Sequence, residues 1–168
     1  MSLAAAHVSR LGWDRGTMDL TGSYTIPAKQ SAVWAALNDP NILRESIPGC
    51  ETLSMLSETE FAATIVAKIG PLKARFTGRV ELSEIDPNNG YRIQGEGSGG
   101  VAGFAKGGAR VHLQGAGDST VLTYELEAQI GGKLAQLGSR LIKGVVNSMA
   151  EKFFTTLVSK ISEGHSVP

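Results

Sequence analysis

Strict alternation governs the middle of this chain, and helical spacing governs its end. Over Asp19–Ile26, Leu20, Tyr24 and Ile26 alternate with polar residues, the period of a half-buried strand. Pro27 then introduces AKQSAVWAALNDP, where Val33, Trp34 and Leu37 fall at helical spacing until Asp39-Pro40 stops the helix. The following NILRES predicts a second short helix, ended by Ile47-Pro48-Gly49. Strand signals dominate from there to Ile130. Phe61, Ala63, Ile65, Ala67 and Ile69 alternate with polar or small residues, and Gly70-Pro71 turns the chain. Leu72, Ala74, Phe76, Gly78, Val80 and Leu82 then face one way, with Lys73, Arg75, Thr77, Arg79 and Glu81 opposite. Pro87-Asn88-Asn89-Gly90 predicts a hairpin, because Asn-Gly tolerates the positive φ of tight turns. Ala109, Val111 and Leu113 alternate with Arg110, His112 and Gln114, and a turn at Gly115–Ser119 leads into Leu122, Tyr124, Leu126, Ala128 and Ile130. From about Lys133 the period becomes helical. Leu137, Leu141, Val145, Met149, Phe153, Leu157 and Ile161 form a ladder, thickened by Leu134, Ile142 and Phe154.

A sheet with one wet and one dry face is typically antiparallel, and a long amphipathic helix is the economical cover for the dry face. The expected fold is therefore α+β, of the helix-grip kind. It has a curved antiparallel sheet of about seven strands around a long C-terminal helix, with two short helices after the first strand. Residues 1–17 read as a mobile or disordered N-terminal extension, 18–162 as one domain and 163–168 as a C-terminal tail.

The dry positions are unusually small: Gly22, Ala63, Ala67, Ala74, Gly78, Gly95, Gly97, Ala109 and Ala128. Protein interiors close-pack, so large residues opposite must compensate or a void remains. Aromatics make up 6% of the chain, too few to fill so wide a cradle. An elongated apolar cavity between sheet and helix is the expectation, suited to a lipophilic ligand. Its predicted lining is Trp34, Phe61, Ile65, Phe76, Val80, Tyr91, Val111, Tyr124, Leu126, Leu141, Val145, Met149 and Phe153. A well-filled core in which small residues let the helix sit close is the competing reading.

Glycine-rich GEGSGGVAGFAKGG at 95–108 begins with G-x-G-x-x-G, a dinucleotide fingerprint. That reading needs a helix to open at the third glycine, so that its amides hold a pyrophosphate. Here the sequence continues glycine-broken and then alternates, so nucleotide binding is not supported. The glycines permit a bend, or a gate over the cavity with Gly100 and Gly103 as hinges and Phe104 and Lys106 at the entrance.

Composition narrows the function classes. Lys+Arg and Asp+Glu are both 16, so no global charge recruits nucleic acid. No apolar run reaches the roughly 18–20 residues of a membrane span, the N-terminus is a poor signal peptide, and a single Cys50 fits a reducing compartment. A cytoplasmic location is expected, with peripheral contact at the inner face of the membrane. The basic bias of the last helix, where Lys133, Arg140, Lys143, Lys152 and Lys160 face Glu151, fits such contact or a solvated helix face. His7, His112 and His165 have no metal spacing, Cys50 has no partner base, and Glu96, Glu125 and Glu127 point to water. No catalytic residue and no metal site are predicted.

The segments IPGC (47–50), KIGPLKARFTG (68–78), GVAGFAKGGARVHL (100–113), IGGKLAQLGSRLI (130–142) and MAEKFF (149–154) resemble the CoxG family, named for the carbon monoxide dehydrogenase G subunit. IPAKQSAVWAALNDP also resembles the wider START/Bet v 1-like superfamily. The resemblance implies a helix-grip fold with a deep apolar cavity, no covalent cofactor, and a quinone or lipid as cavity ligand. It further implies association with a molybdenum-containing carbon monoxide dehydrogenase or related hydroxylase, linking that enzyme to membrane quinones. Members often continue into a linker and apolar tail, whereas this sequence stops at Pro168, so transient membrane contact is the expectation. A docking or maturation factor without obligatory ligand, and a cyclase- or hydrolase-like enzyme on the same fold, remain the alternatives.

Overall fold

The alternating stretches pair with their chain neighbours, as short turns between apolar-faced strands require. In the computed structural model, residues 11–14 and 17–165 are described, with side chains from 17 to 163. The strands are β1 (Leu11–Asp14), β2 (Thr17–Ile26), β3 (Cys50–Met55), β4 (Glu60–Ile69), β5 (Leu72–Asp86), β6 (Gly90–Ser98), β7 (Phe104–Ala116) and β8 (Ser119–Gly131). They form one antiparallel sheet in the order β1-β2-β8-β7-β6-β5-β4-β3. Helices α1 (Gln30–Leu37) and α2 (Pro40–Ser46) follow β2, and α3 (Lys133–Gln136) and α4 (Ser139–His165) follow β8. This is the expected α+β helix-grip architecture.

Local chemistry explains the helix boundaries. The Asp39 carboxylate accepts hydrogen bonds from the Asn41 and Ile42 amides at 2.9 and 3.3 Å, and Pro40 stands in the first turn of α2. The terminal helix, read as continuous from Lys133, is broken. Gly138 has φ 88°, a left-handed conformation that ends α3 before Ser139 starts α4. The apolar ladder runs through the break because a glycine cap does not change which residues are apolar.

Two boundaries also move. Leu11–Asp14 falls in the stretch read as an extension, yet it pairs with Leu20–Thr17 at the sheet edge. Four residues are too few for alternation to announce a strand. At the other end α4 passes 162 and reaches His165, with Lys160 and Glu163 paired one turn apart at 3.5 Å. Residues 1–10, 15, 16 and 166–168 lie outside the described residues.

The core is divided. One cluster joins Tyr24, Ile26, Val33, Leu37, Leu113 and Leu122 to Phe154, Leu157 and Ile161 of α4. A second joins Met18, Ile69 and Ile130 to Leu134 and Ile142, at the other end of α4. The third, Phe61, Leu82 and Tyr91, lies under Trp34 on the same dry face, over β4 to β6. A domain usually has one contiguous core. Here the three clusters surround the middle of the dry face, where side chains are small.

Candidate apolar cavity

Strand alternation brings Ala63 and Ile65 of β4, Phe76 and Val80 of β5, Ile93 of β6, Ala105 and Ala109 of β7, and Leu126 and Ala128 of β8 to one surface. With Gly78, Gly95, Gly97 and Gly107 they line an almost wholly apolar cavity of about 320 Å³. Gly78 faces Gly97 across β5 and β6, and Gly95 faces Gly107 across β6 and β7. A methyl at Gly78 would strike the Glu96 carbonyl, and one at Gly107 would strike the Glu127 carbonyl. Sharp coiling of the sheet at these strands therefore demands glycine, and the same glycines leave the concave surface bare.

A second opening of about 390 Å³ lies between β4 and α4. Ala67 continues the Ala63–Ile65 face of β4 into it, and Leu141, Val145 and Met149 of α4 form its other wall. Pro48 and Gly49, from the loop after α2, close one end. Leu141 and Val145 of the cleft pack against the same cluster as Phe76, Leu126 and Ala128 of the cavity, so one apolar cluster adjoins both, although no residue lines the two together.

The predicted lining is thus partly brought together. Ile65, Phe76, Val80 and Leu126 line the cavity, and Leu141, Val145 and Met149 line the cleft. Phe61, Tyr91, Val111 and Trp34 instead pack against one another in the third cluster, with the Trp34 and Tyr91 rings 5.3 Å apart. Tyr124 and Phe153 belong to the first cluster. Large side chains complete their own clusters, leaving the cavity wall to small ones. Ile93, Ala105 and Gly107 were missing from the sequence reading, since the glycine stretch hides their alternation.

Entrance residues need a larger correction. Gly100 begins a single 3-10 turn over Gly100–Ala102 and Gly103 follows it, both with positive φ, at 62° and 113°. Phe104 and Lys106, however, are already in β7, and alternation gives the inward side-chain positions to Ala105 and Gly107; Lys106 still borders the cavity, whereas Phe104 does not. The Phe104 ring lies over Gly131. The residue that protrudes at this end is Val101, 85% exposed. No nucleotide-type helix opens at the glycines; after one 3-10 turn the chain enters a strand.

Chemically reactive groups are sparse. Burial pushes the Cys50 thiol pKa up, Arg44 draws it partly back, and Sγ donates to the Thr52 carbonyl at 3.3 Å. Tyr24 is fully buried between Tyr124 and Phe154, with ring centroids 6.5 and 4.1 Å away. Neither the Tyr24 nor the Tyr124 hydroxyl has a hydrogen-bond partner among the described residues. Burial raises both phenol pKa values, and that of Tyr91 is pushed up to about 12. Neutral buried hydroxyls can donate a hydrogen bond, but they are poor acids and bases at neutral pH. Among the described residues no cluster of three His, Cys, Asp or Glu could hold a metal, and no helix is long and apolar enough to cross a membrane.

Solved structures share this architecture. A conserved protein from Geobacillus kaustophilus superposes with a TM-score of 0.82 at 29% identity, covering 86% of this chain and 95% of its own. A START superfamily protein from Mycobacterium smegmatis gives 0.66 at 13% identity, covering 86% of this chain and 97% of its own. The Zhui aromatase/cyclase from Streptomyces sp. R1128 gives 0.68 at 12% identity, covering 90% and 97%. These last two likenesses establish the START/Bet v 1-like fold alone. No curated protein matches the chain. The family model of the carbon monoxide dehydrogenase G subunit (CoxG) matches residues 22–162, which takes in the cavity, the cleft and both short helices. The chain belongs to this CoxG family.

Proposed function

We propose that this protein is a non-catalytic carrier whose cavity takes an isoprenoid quinone or similar lipid, serving a carbon monoxide dehydrogenase-type molybdenum hydroxylase at the membrane quinone pool. The observation that carries this reading is the divided core, whose three clusters leave an apolar cavity floored by glycine and alanine. A cavity of this size suits a ring with part of a chain, and the adjoining cleft gives the remaining chain an apolar path outward. Family membership supports the accessory role and the choice of partner. The Tyr24 and Tyr124 hydroxyls, buried and unpartnered in the first cluster, are the neutral donors that a quinone oxygen reaching that cluster could use.

Mass spectrometry of organic extracts from protein purified without detergent, with native mass spectra, tests the proposal. A stoichiometric quinone or lipid is expected, and Val145→Trp, which fills the β4–α4 cleft, should lose it while remaining folded. An empty protein that also refuses added menaquinone and ubiquinone would transfer the function to docking on the hydroxylase without cargo.

A further inference from the structure

The cleft between β4 and α4 has a rim that cavity binding does not use. Lys68, Arg140 and Lys152 stand around it, and none of them forms an ion pair among the described residues. Gly144 lies inside α4 in the same cleft, where an added Cβ would meet nothing within 4 Å. Glycine is a poor helix former, and no close approach of another element explains it here. Its effect is to leave a gap in the helix wall.

Charge is distributed unevenly around this gap. Residues 66–73, 99–105 and 129–148 come together at one end of the sheet, through the β4–β5 turn, the 3-10 turn and α3 with the first half of α4. These segments hold Lys68, Lys73, Lys133, Arg140 and Lys143 and not one Asp or Glu. The opposite end carries Glu58 and Asp118 in its turns and Glu84 and Asp86 in the last residues of β5, against Lys29 beside the β5–β6 turn. A chain with equal numbers of acids and bases is thus polarised along its strands. Val101 projects from the basic end, 85% exposed.

We propose that the β4–α4 cleft is the portal of the cavity and that its cationic rim seats on an anionic lipid bilayer. Val101 enters the interface, and cargo passes through the gap at Gly144. Cations beside an apolar opening match a surface with phosphate above hydrocarbon; an acidic protein would satisfy the cations and leave the apolar floor and Val101 unmatched. The portal rests on the carrier reading, whereas bilayer docking by the basic end does not.

Vesicle sedimentation separates the two. The protein should bind phosphatidylcholine vesicles containing about one third phosphatidylglycerol, release at high salt, and ignore pure phosphatidylcholine. The Lys68→Gln, Arg140→Gln, Lys152→Gln variant should bind about a hundredfold more weakly, from roughly fivefold for each of three cations near such a surface. Gly144→Leu, which strengthens the helix, should keep its melting temperature and its vesicle binding but slow the transfer of a vesicle-borne quinone to the protein at least tenfold. Equal binding to neutral vesicles, or an unaffected triple variant, overturns the docking surface. Wild-type transfer rates in Gly144→Leu overturn the portal. Loading the wild-type protein with quinone from ethanol, with no vesicles present, tests the carrier reading by itself.

Discussion

Removing one oxygen from Tyr24 reports on what occupies the protein. The ring is fully buried against Phe154, and no group among the described residues reaches its hydroxyl. A buried hydroxyl left unpaired costs about 1–3 kcal/mol, whereas replacing it by hydrogen keeps the ring's packing. In ligand-free protein, Tyr24→Phe should therefore stabilise by about 1 kcal/mol, the low end of that range, because the protein relaxes around the group. For a chain of this length that is a rise in Tm of about 2–4 °C. Thermal unfolding followed by circular dichroism, on delipidated protein, measures it. With quinone bound, the sign reverses if the hydroxyl donates to the ligand: the variant should then lose about 1 kcal/mol of ligand-induced stabilisation, since a ligand adds stability through its affinity for the native state. A fall in Tm for the delipidated variant would refute the reasoning, because it would mean that the hydroxyl is already satisfied without ligand.

Other perturbations separate the cavity from the frame around it. Ala109→Phe projects a ring into the cavity and should lower quinone stoichiometry in native mass spectra, with less than about 1 kcal/mol lost in denaturant unfolding, against the 1–3 kcal/mol of overpacking a filled core. Gly107→Ala should cost about 2 kcal/mol or more in the same assay, because its methyl meets the Glu127 carbonyl, while Gly97→Ala, with 3.7 Å to its nearest neighbour, should stay within about 0.5 kcal/mol. Raising the pH should leave all three tyrosines protonated in the folded state beyond their ordinary value of 10.0. A pKa raised by folding contributes stability that is full below pH 10 and is lost as pH climbs toward about 12, where Tyr91 titrates. Absorbance at alkaline pH should therefore show tyrosinate appearing together with loss of circular dichroism, not before it.

The order of strands and helices was readable because each strand keeps one face dry, and period two is unambiguous from Phe61 to Leu82 and from Leu122 to Ile130. The smallness of the dry face was readable as well, and with it the cavity. Its lining was harder. Trp34, Phe61 and Tyr91 were assigned to the wall on size, but aromatic rings gain most by packing on one another, and these three do so at the rim. Their pairing depends on how far α1 leans over β6, which no local pattern encodes. Phe104 and Lys106 illustrate a different limit. In a run of glycines either parity fits the apolar pattern, so the side of the sheet on which β7 begins could not be fixed before its register with Gly131 and Gln129 was known. The break at Gly138 was equally silent, because glycine interrupts a helix or ends it according to tertiary contacts.

The divided core has a kinetic consequence. The two ends of α4 are held by different clusters, Ile142 in one, together with Leu134 of α3, and Phe154, Leu157 and Ile161 in the other, with Gly144 between them. Local opening of one cluster need not disrupt the other, and sub-global openings require less free energy than complete unfolding. On the proposed carrier role, the residence time of a cargo would be set by release of the first turns of α4 alone. Substitutions at Ile142 or Leu134 would then alter how long a bound lipid stays, while those at Leu157 would alter how long the protein survives.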